Sequence, residues 1–175
     1  NGPAATLLVP GLAEALKASH PMLAVVQEIP LGNFDKNAFQ ELDSDRLFAG
    51  VAKWVKRIVS VNRIEDDVDM AITMATSGRP GPVVLLCPAD MFNDKTEYPI
   101  SPYRTLSLGH TPLDRTVADP ASIDAAAELL AKAKAPIVYA GGGVISSGAC
   151  AELRALQDEC SLPVATSTMG KSSVD

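Results

Sequence analysis

The sequence predicts an α/β protein made of two units, each built on a parallel sheet, that are joined by an extended linker. Short apolar runs typical of buried strands alternate with stretches of helical periodicity, and this alternation occurs on both sides of a proline-containing polar stretch. Parallel strands need a crossover between them, usually a helix, which explains that order. The predicted organisation is a first unit over residues 1–100, a linker over residues 101–118 and a second unit over residues 119–175.

The first unit begins with a predicted helix over residues 4–18, which Pro10 and Gly11 should weaken or bend. A continuous apolar run over residues 22–26 predicts a strand that is buried on both faces. Residues 31–45 are polar and rich in turn-forming residues, so they predict a loop.

A short helix is expected over residues 47–54, followed by a strand over residues 57–61 in which apolar and polar side chains alternate. A second buried strand is expected over residues 83–86, where four apolar residues are followed by Cys87 and then Pro88.

Between these two strands the sequence predicts a helix that begins at Asn62 as N-cap, with Glu65 in capping-box position, and that ends at residues 77–78. Its first turns hold three aspartates, for which a metal site is one interpretation. Stabilisation of carboxylates by the helix macrodipole is the favoured one. The aspartates are Asp66, Asp67 and Asp69.

The second unit begins with a helix that has Asp119 as N-cap and Pro120 at its first position. Further elements are expected in the order strand, glycine turn, helix and strand. They are a strand over residues 136–140, a helix over residues 149–159 and a strand that begins at residues 163–165. The apolar face of the first helix is formed by Ile123, Ala126, Ala127 and Leu130.

Composition excludes several classes of protein. The net charge is −6, the pI is about 4.9 and 5% of residues are aromatic, which argues against nucleic acid as a partner. No apolar stretch is long enough to span a bilayer, so no membrane partner is expected. The three cysteines show no metal-ligand spacing and predict buried, reduced thiols in a cytoplasmic protein. They are Cys87, Cys150 and Cys160.

The glycines Gly141, Gly142 and Gly143 form a predicted tight turn between a strand and a helix. Ligands bind at this edge of open parallel sheets, and glycines let a phosphate approach the backbone. The dinucleotide fingerprint needs a third glycine where Ser146 stands, so a simple NAD site is disfavoured. A nucleotide-phosphate site and a purely structural turn both remain open.

Two further segments have structural interpretations of their own. Arg79 lies in a rigid turn before a strand, where a surface or ion-pair role is the usual one. Phe39 and Gln40 lie in the polar loop, where a packed Phe beside solvated neighbours is the simplest interpretation.

Taken in order, these segments resemble one enzyme family. Gly-Pro-Ala-Ala-Thr at residues 2–6, Ala-Phe-Gln-Glu at residues 38–41 and Thr-Ser-Gly-Arg-Pro-Gly-Pro-Val at residues 76–83 resemble thiamine-diphosphate-dependent enzymes of the acetolactate synthase type. So do the glycine turn and Met-Gly-Lys at residues 169–171. The resemblance makes residues 1–100 the C-terminal part of a pyrimidine-binding domain. It makes residues 119–175 the N-terminal part of a Rossmann-like central domain.

The resemblance also implies roles. Phe39 and Gln40 match positions that face the substrate, a small 2-oxo acid. The positions that hold FAD, or ADP in other members, match Arg79, Gly141, Gly142, Gly143, Thr168 and Met169. The parent enzyme would use thiamine diphosphate and Mg²⁺ and would be a homodimer or homotetramer.

The resemblance further implies that the catalytic Glu and the Gly-Asp-Gly…Asn metal segment lie outside these residues. The chain would then hold neither catalytic residues nor metal ligands of its own. It would be an inactive fragment of an enzyme that decarboxylates 2-oxo acids, or ligates the resulting acyl carbanion to a carbonyl. The alternative is a non-catalytic nucleotide-binding or structural module.

Overall fold

The structure is a computed structural model that describes residues 1–95 and 116–174. The chain divides into two compact units, Asn1–Gly109 and His110–Asp175. Most of the predicted linker over residues 101–118 lies outside the described residues. Its extended course and the predicted domain boundaries therefore stay predictions.

The first unit is built on a three-stranded parallel sheet in the order β1-β3-β2. The strands are β1 (Met22–Glu28), β2 (Trp54–Arg57) and β3 (Pro82–Pro88). All seven residues of β3 are buried, as an apolar central strand requires. The second unit also contains a parallel sheet, so the predicted α/β class with two parallel-sheet units is confirmed.

Helices cover both faces of β3. On one face lie a 3-10 segment (Gly2–Leu8), α1 (Val9–Ala18) and α2 (Ser44–Phe48), and on the other lies α3 (Ile64–Thr76). The α1 and α2 side holds a core of Ala5, Leu12, Val26, Phe48, Val84 and Leu86. The α3 side holds a core of Ile58, Ala71, Ala75, Val83, Leu85, Cys87 and Met91.

The prediction that β1 is buried on both faces was wrong. Val26 is buried, but Val25 is 60% exposed. In the described residues β1 pairs only with β3 and forms one edge of the sheet. An apolar run shows that a strand can be buried, but it does not show how far neighbouring elements extend over it.

The predicted single helix over residues 4–18 is a 3-10 segment followed by α1. Pro10 lies in the first turn of α1, where its missing N–H has no intrahelical partner to lose. The predicted bend is thus replaced by a change of helix type at Leu8 and Val9.

Two elements were predicted too far along the chain. The helix expected over residues 47–54 is α2, which starts earlier because the Asp43 side chain accepts a hydrogen bond from Arg46 N at 3.1 Å. The strand expected over residues 57–61 is β2, which Trp54 begins by pairing in register with Val83.

The predicted start of the next helix at Asn62 was also wrong. Ser60 accepts a hydrogen bond from Asn62 N at 3.3 Å and caps a 3-10 turn, Val61–Arg63, after which α3 begins. The predicted end at residues 77–78 is confirmed, since Ser77 is the C-cap.

The second unit contains α4 (Pro120–Lys132), β4 (Val138–Ala140), α5 (Gly142–Ser146), α6 (Cys150–Cys160) and β5 (Val164–Thr166). Strands β4 and β5 pair in parallel. Asp119 caps α4 as predicted, accepting a hydrogen bond from Ser122 N at 3.2 Å. On the predicted apolar face of α4, only Leu130 is partly covered, and Ile123 is 50% exposed.

The cysteines differ in burial. Cys87 is buried as predicted, Cys150 is half-buried and Cys160 is exposed, so burial was wrongly expected for the last. Cys160 is the last residue of α6, where the helix ends on Ser161 in a left-handed conformation. None of the helices in the described ranges is long and apolar enough to cross a membrane.

Candidate functional site

The segment between β1 and α2, residues 29–43, carries the predicted substrate-facing residues and is called the β1–α2 loop below. It begins at the carboxyl edge of the first sheet, where ligands bind in open α/β folds. Phe39 is 89% exposed, so it has no packing role among the described residues. Gln40 is exposed and has a φ of 65°, a left-handed conformation that is uncommon outside glycine.

The Glu41 carboxylate organises the tip of the β1–α2 loop. It accepts hydrogen bonds from Asp35 N at 2.6 Å and from Ala38 N at 2.8 Å. These bonds stabilise the charged form and lower the pKa of Glu41. Glu41 thus holds the left-handed turns at Asp35 and Asn37 that precede Phe39.

Gly2 lies directly against this loop. A side chain at Gly2 would collide with the Gln40 carbonyl, and Gly2 has a φ of 39°. Glycine suits both conditions, because it has no Cβ and adopts a positive φ without strain. Residues from the loop and its surroundings line a small pocket here: Gly2, Glu28, Ile29, Phe34, Gln40, Leu42 and Ser44.

An ion-pair cluster lies at the ends of β1 and β2. The Arg57 guanidinium donates to both oxygens of Glu28, at 2.7 and 3.2 Å, and pairs with Asp45 at 2.6 Å. Glu28 is only 4% exposed, so removing Arg57 would leave a buried carboxylate without this partner. Hydrogen bonding to Glu28 raises the pKa of Arg57. The guanidinium also lies over the Phe34 ring, 4.8 Å from its centroid.

Another carboxylate holds the start of the loop. Asp90, just after β3, accepts a hydrogen bond from Leu31 N at 3.1 Å through Oδ2, while its Oδ1 is buried without a partner among the described residues. Burial, with the nearby charges of Asp90 and Glu28, raises the pKa of the Cys87 thiol. Cys87 is therefore held neutral and unsuited to act as a nucleophile.

Arg79 lies at the other edge of the first unit, where it caps the C-terminus of α1. It donates to Ser19 Oγ at 2.8 Å through Nε, and to the carbonyls of Leu16 and Lys17 at 3.4 and 3.1 Å through Nη2. Cations are stabilised at this end of a helix. The predicted surface role of Arg79 thus takes the form of a helix cap.

The predicted nucleotide-binding residues of the second unit converge at the carboxyl ends of β4 and β5. Gly141 is the N-cap of α5 and Gly142 and Gly143 are its first residues, so the predicted tight turn is the start of a short helix. A Cβ added to Gly142 would lie 3.1 Å from the carbonyl oxygen and the Cβ of Met169. Thr168 and Met169 are exposed in the 3-10 turn that follows β5.

Sequence reasoning missed the residues that hold these two turns together. Ser167 N donates to Ala140 O at 2.9 Å, and Ser167 Oγ accepts from Gly170 N at 3.1 Å. A side chain on Gly170 would collide with the Ala140 carbonyl. The available signal was Ser167 itself, a helix-capping residue type directly after a strand.

The Glu28 and Arg57 pair was also missed. Glu28 follows one predicted strand but Arg57 begins the other, so the predicted bounds place the two charges at opposite edges of the sheet and offer no signal for the pair. As for metals, the residues of 1–95 and 116–174 contain no group of three or more His, Cys, Asp and Glu side chains arranged to hold an ion.

Comparisons with known proteins bear on the family of the chain. Residues 123–175 match the model of the thiamine pyrophosphate enzyme central domain. Over 174 residues the chain is 39% identical to a probable acetolactate synthase large subunit of Methanocaldococcus jannaschii, which covers 98% of the chain and 29% of that relative. It is 35% identical over 176 residues to an acetolactate synthase of Arthrospira platensis, covering 100% of the chain and 30% of that relative.

A third relative is an acetolactate synthase large subunit of Corynebacterium glutamicum. It is 35% identical over 175 residues, which cover 97% of the chain and 26% of the relative. The chain thus spans less than a third of the length of these curated relatives. The similarity runs through both units in one continuous alignment.

Proposed function

Because the chain belongs to the thiamine-diphosphate-dependent, acetolactate synthase-like family, we propose that it is part of an enzyme that decarboxylates a 2-oxo acid and joins the acyl unit to a carbonyl. The observation that carries this proposal is the similarity to acetolactate synthases over 98% of the chain. In this proposal the full reaction uses further residues, and the chain spans 29% and 30% of the length of these two relatives.

In this proposal the first unit contributes the β1–α2 loop, with Phe39 and Gln40 facing the substrate. Support comes from the exposure of Phe39 and from the position of the loop at the carboxyl edge of the sheet. The amide of Gln40 can donate to a 2-oxo acid carboxylate or accept from a hydroxyl. Glu41 and Gly2 fix the backbone that presents it.

The cofactors are part of this proposal. Thiamine diphosphate, held with Mg²⁺ by residues outside this chain, supplies the electron sink for decarboxylation. We assign a nucleotide, FAD or ADP, to the backbone turns that meet at Gly141, Gly142, Gly143, Thr168 and Met169. We also propose that Arg79 binds a phosphate group. Arg79 holds the end of α1 through Nε and Nη2, and a guanidinium carries five N–H donors that suit the oxygens of a phosphate. A homodimer or homotetramer in the cytoplasm belongs to the same proposal.

The test is activity of the intact enzyme with pyruvate as the probe substrate. We expect acetolactate formation that depends on added thiamine diphosphate and Mg²⁺. The substitution Gln40→Ala should raise KM or lower kcat by roughly tenfold or more without a loss of melting temperature. Gln157→Ala, the same exchange on α6, is the matched control and should leave the kinetics unchanged.

Two results would contradict the proposal. If the intact protein binds a nucleotide but turns over no 2-oxo acid, it is a non-catalytic nucleotide-binding module. If Gln40→Ala instead lowers the melting temperature strongly, its role is packing. The nucleotide is identified by the flavin absorption of the purified enzyme, or by ADP uptake into a colourless preparation.

A further inference from the structure

The cluster at the ends of β1 and β2 points to a role beyond charge compensation. Arg57 contacts Glu28 on β1, Asp45 on α2 and the Phe34 ring in the β1–α2 loop. One side chain therefore connects two strands, a helix and the loop.

We propose that Arg57 is a positioning residue, which holds the β1–α2 loop in the conformation that presents Gln40 to the substrate. The substrate part of this inference rests on the proposed function. Arg57 acts through Phe34, because Phe34, Gln40 and Glu28 line the same pocket. A shift of the Phe34 ring therefore changes the wall against which Gln40 lies.

Geometry favours arginine at this position. The planar guanidinium presents donors in a fork, so it binds both oxygens of Glu28 while its face stays on the Phe34 ring. Burial of Glu28 excludes water from competing for those bonds. The pair also fixes the direction of the guanidinium plane and with it the position of the ring.

The loop needs such support because its own backbone is unfavourable. Asp35, Asn37 and Gln40 all have positive φ angles, between 51° and 65°. Non-glycine residues adopt these angles at a cost and keep them only when surrounding contacts enforce them. The carboxylates of Glu41 and Asp90 accept hydrogen bonds from backbone N–H groups of the loop. Arg57 adds a side-chain contact with the Phe34 ring.

The experiment uses the intact enzyme and three single variants. Arg57→Gln removes the cluster, Phe34→Leu removes the ring while leaving the ion pairs, and Arg63→Gln is the control, since Arg63 makes an exposed ion pair with Asp66 on α3. Hydrogen exchange of the amides of residues 34–41 is measured, together with kcat and KM for pyruvate and the affinity for thiamine diphosphate.

We expect Arg57→Gln and Phe34→Leu to speed exchange in residues 34–41 and to lower kcat/KM roughly tenfold, mostly through KM. The affinity for thiamine diphosphate should not change. A general loss of structure would lower that affinity as well. Arg57→Lys should recover part of the exchange protection, because it keeps the charge beside Glu28 without the fork. If Arg57→Gln does not fold, Phe34→Leu and Arg57→Lys still carry the test.

The outcomes separate this inference from the proposed function. Unchanged loop exchange in both Arg57→Gln and Phe34→Leu would overturn the positioning role. Faster exchange with unchanged kinetics would support positioning and would show that the loop does not face the substrate, so the site assignment would fail. Equal effects in Arg63→Gln would also overturn the inference, because that residue does not touch the loop.

Discussion

At the scale of single residues, the second unit depends on a backbone approach at Gly170. The 3-10 turn after β5 lies so close to the end of β4 that no side chain fits between Gly170 and the Ala140 carbonyl. Gly143, only a few residues from the same junction, has open space around it. A side chain is therefore excluded by contact at Gly170 but not at Gly143, although both glycines belong to the same site.

We predict that Gly170→Ala lowers the free energy of unfolding by about 1–3 kcal/mol, because the added methyl group forces the two turns apart. Gly143→Ala, the matched control, should change it by less than about 1 kcal/mol, since alanine is favoured within a helix. Chemical denaturation of the two variants measures the difference. Equal losses of stability in the two variants would show that the close approach at Gly170 does not determine how the two turns pack.

Glu41 gives a prediction about pH. Its backbone hydrogen bonds lower its pKa in the folded protein below the ordinary value of 4.5. The folded state therefore binds this proton less readily than the unfolded chain. The stabilisation by Glu41 is complete above the unfolded value and is lost as the pH falls through the lower, folded value.

The measurement compares the wild type with Glu41→Gln by chemical denaturation at about pH 7 and about pH 3.5. The wild type should be the more stable protein at the higher pH, and the difference should shrink at the lower pH. The other carboxylates contribute equally to the pH dependence of both proteins, so their contributions cancel in the difference between the two. A difference that is the same at both values would contradict the role of Glu41 in ordering the loop.

At the scale of elements, α1 ends on a contact that is distant in sequence. Its last turn exposes carbonyls that have no partner within the helix, and Arg79 donates to two of them. Ser19, the C-cap with a φ of 59°, accepts from the same guanidinium. The turn before β3 and the end of α1 are thereby held together.

We predict that Arg79→Ala lowers the free energy of unfolding by roughly 1 kcal/mol, because these exposed, charge-assisted hydrogen bonds are lost. Arg63→Ala, which removes an exposed ion pair between the 3-10 turn and Asp66 on α3, should lower it by only a few tenths. In the intact enzyme, Arg79→Ala should also weaken nucleotide binding more than thiamine diphosphate binding. Unchanged nucleotide affinity would limit Arg79 to its role as a helix cap.

Elements whose signals are local were predicted well. Asp119 and Pro120 fixed the start of α4, and the apolar run before Pro88 fixed β3. The boundaries of β2 and α3 were missed because they depend on partners elsewhere. Trp54 joins the sheet by pairing with Val83, and Ser60 rather than Asn62 caps the turn that precedes α3.

At the scale of the whole molecule, sequence patterns were sufficient for the two parallel-sheet units. They could not reveal the cluster of Glu28, Asp45 and Arg57, since these residues meet only after the crossover connections place β1 and β2 on either side of β3. The convergence of the glycine turn with Met169 has the same origin, because it follows from the parallel pairing of β4 with β5. Contacts between strand ends are the part of a parallel fold that local periodicity does not encode.

The strand order of the first unit has a consequence for synthesis of the protein. Met22 pairs with Pro82, so β1 cannot pair until a strand 60 residues later in the chain has been synthesised. At about 5–20 residues per second, this delay lasts roughly 3–12 seconds on the ribosome. During that time the apolar segment of β1 has both edges unpaired. The nascent chain therefore carries an apolar strand with no partner in the sheet until residue 88 has been synthesised.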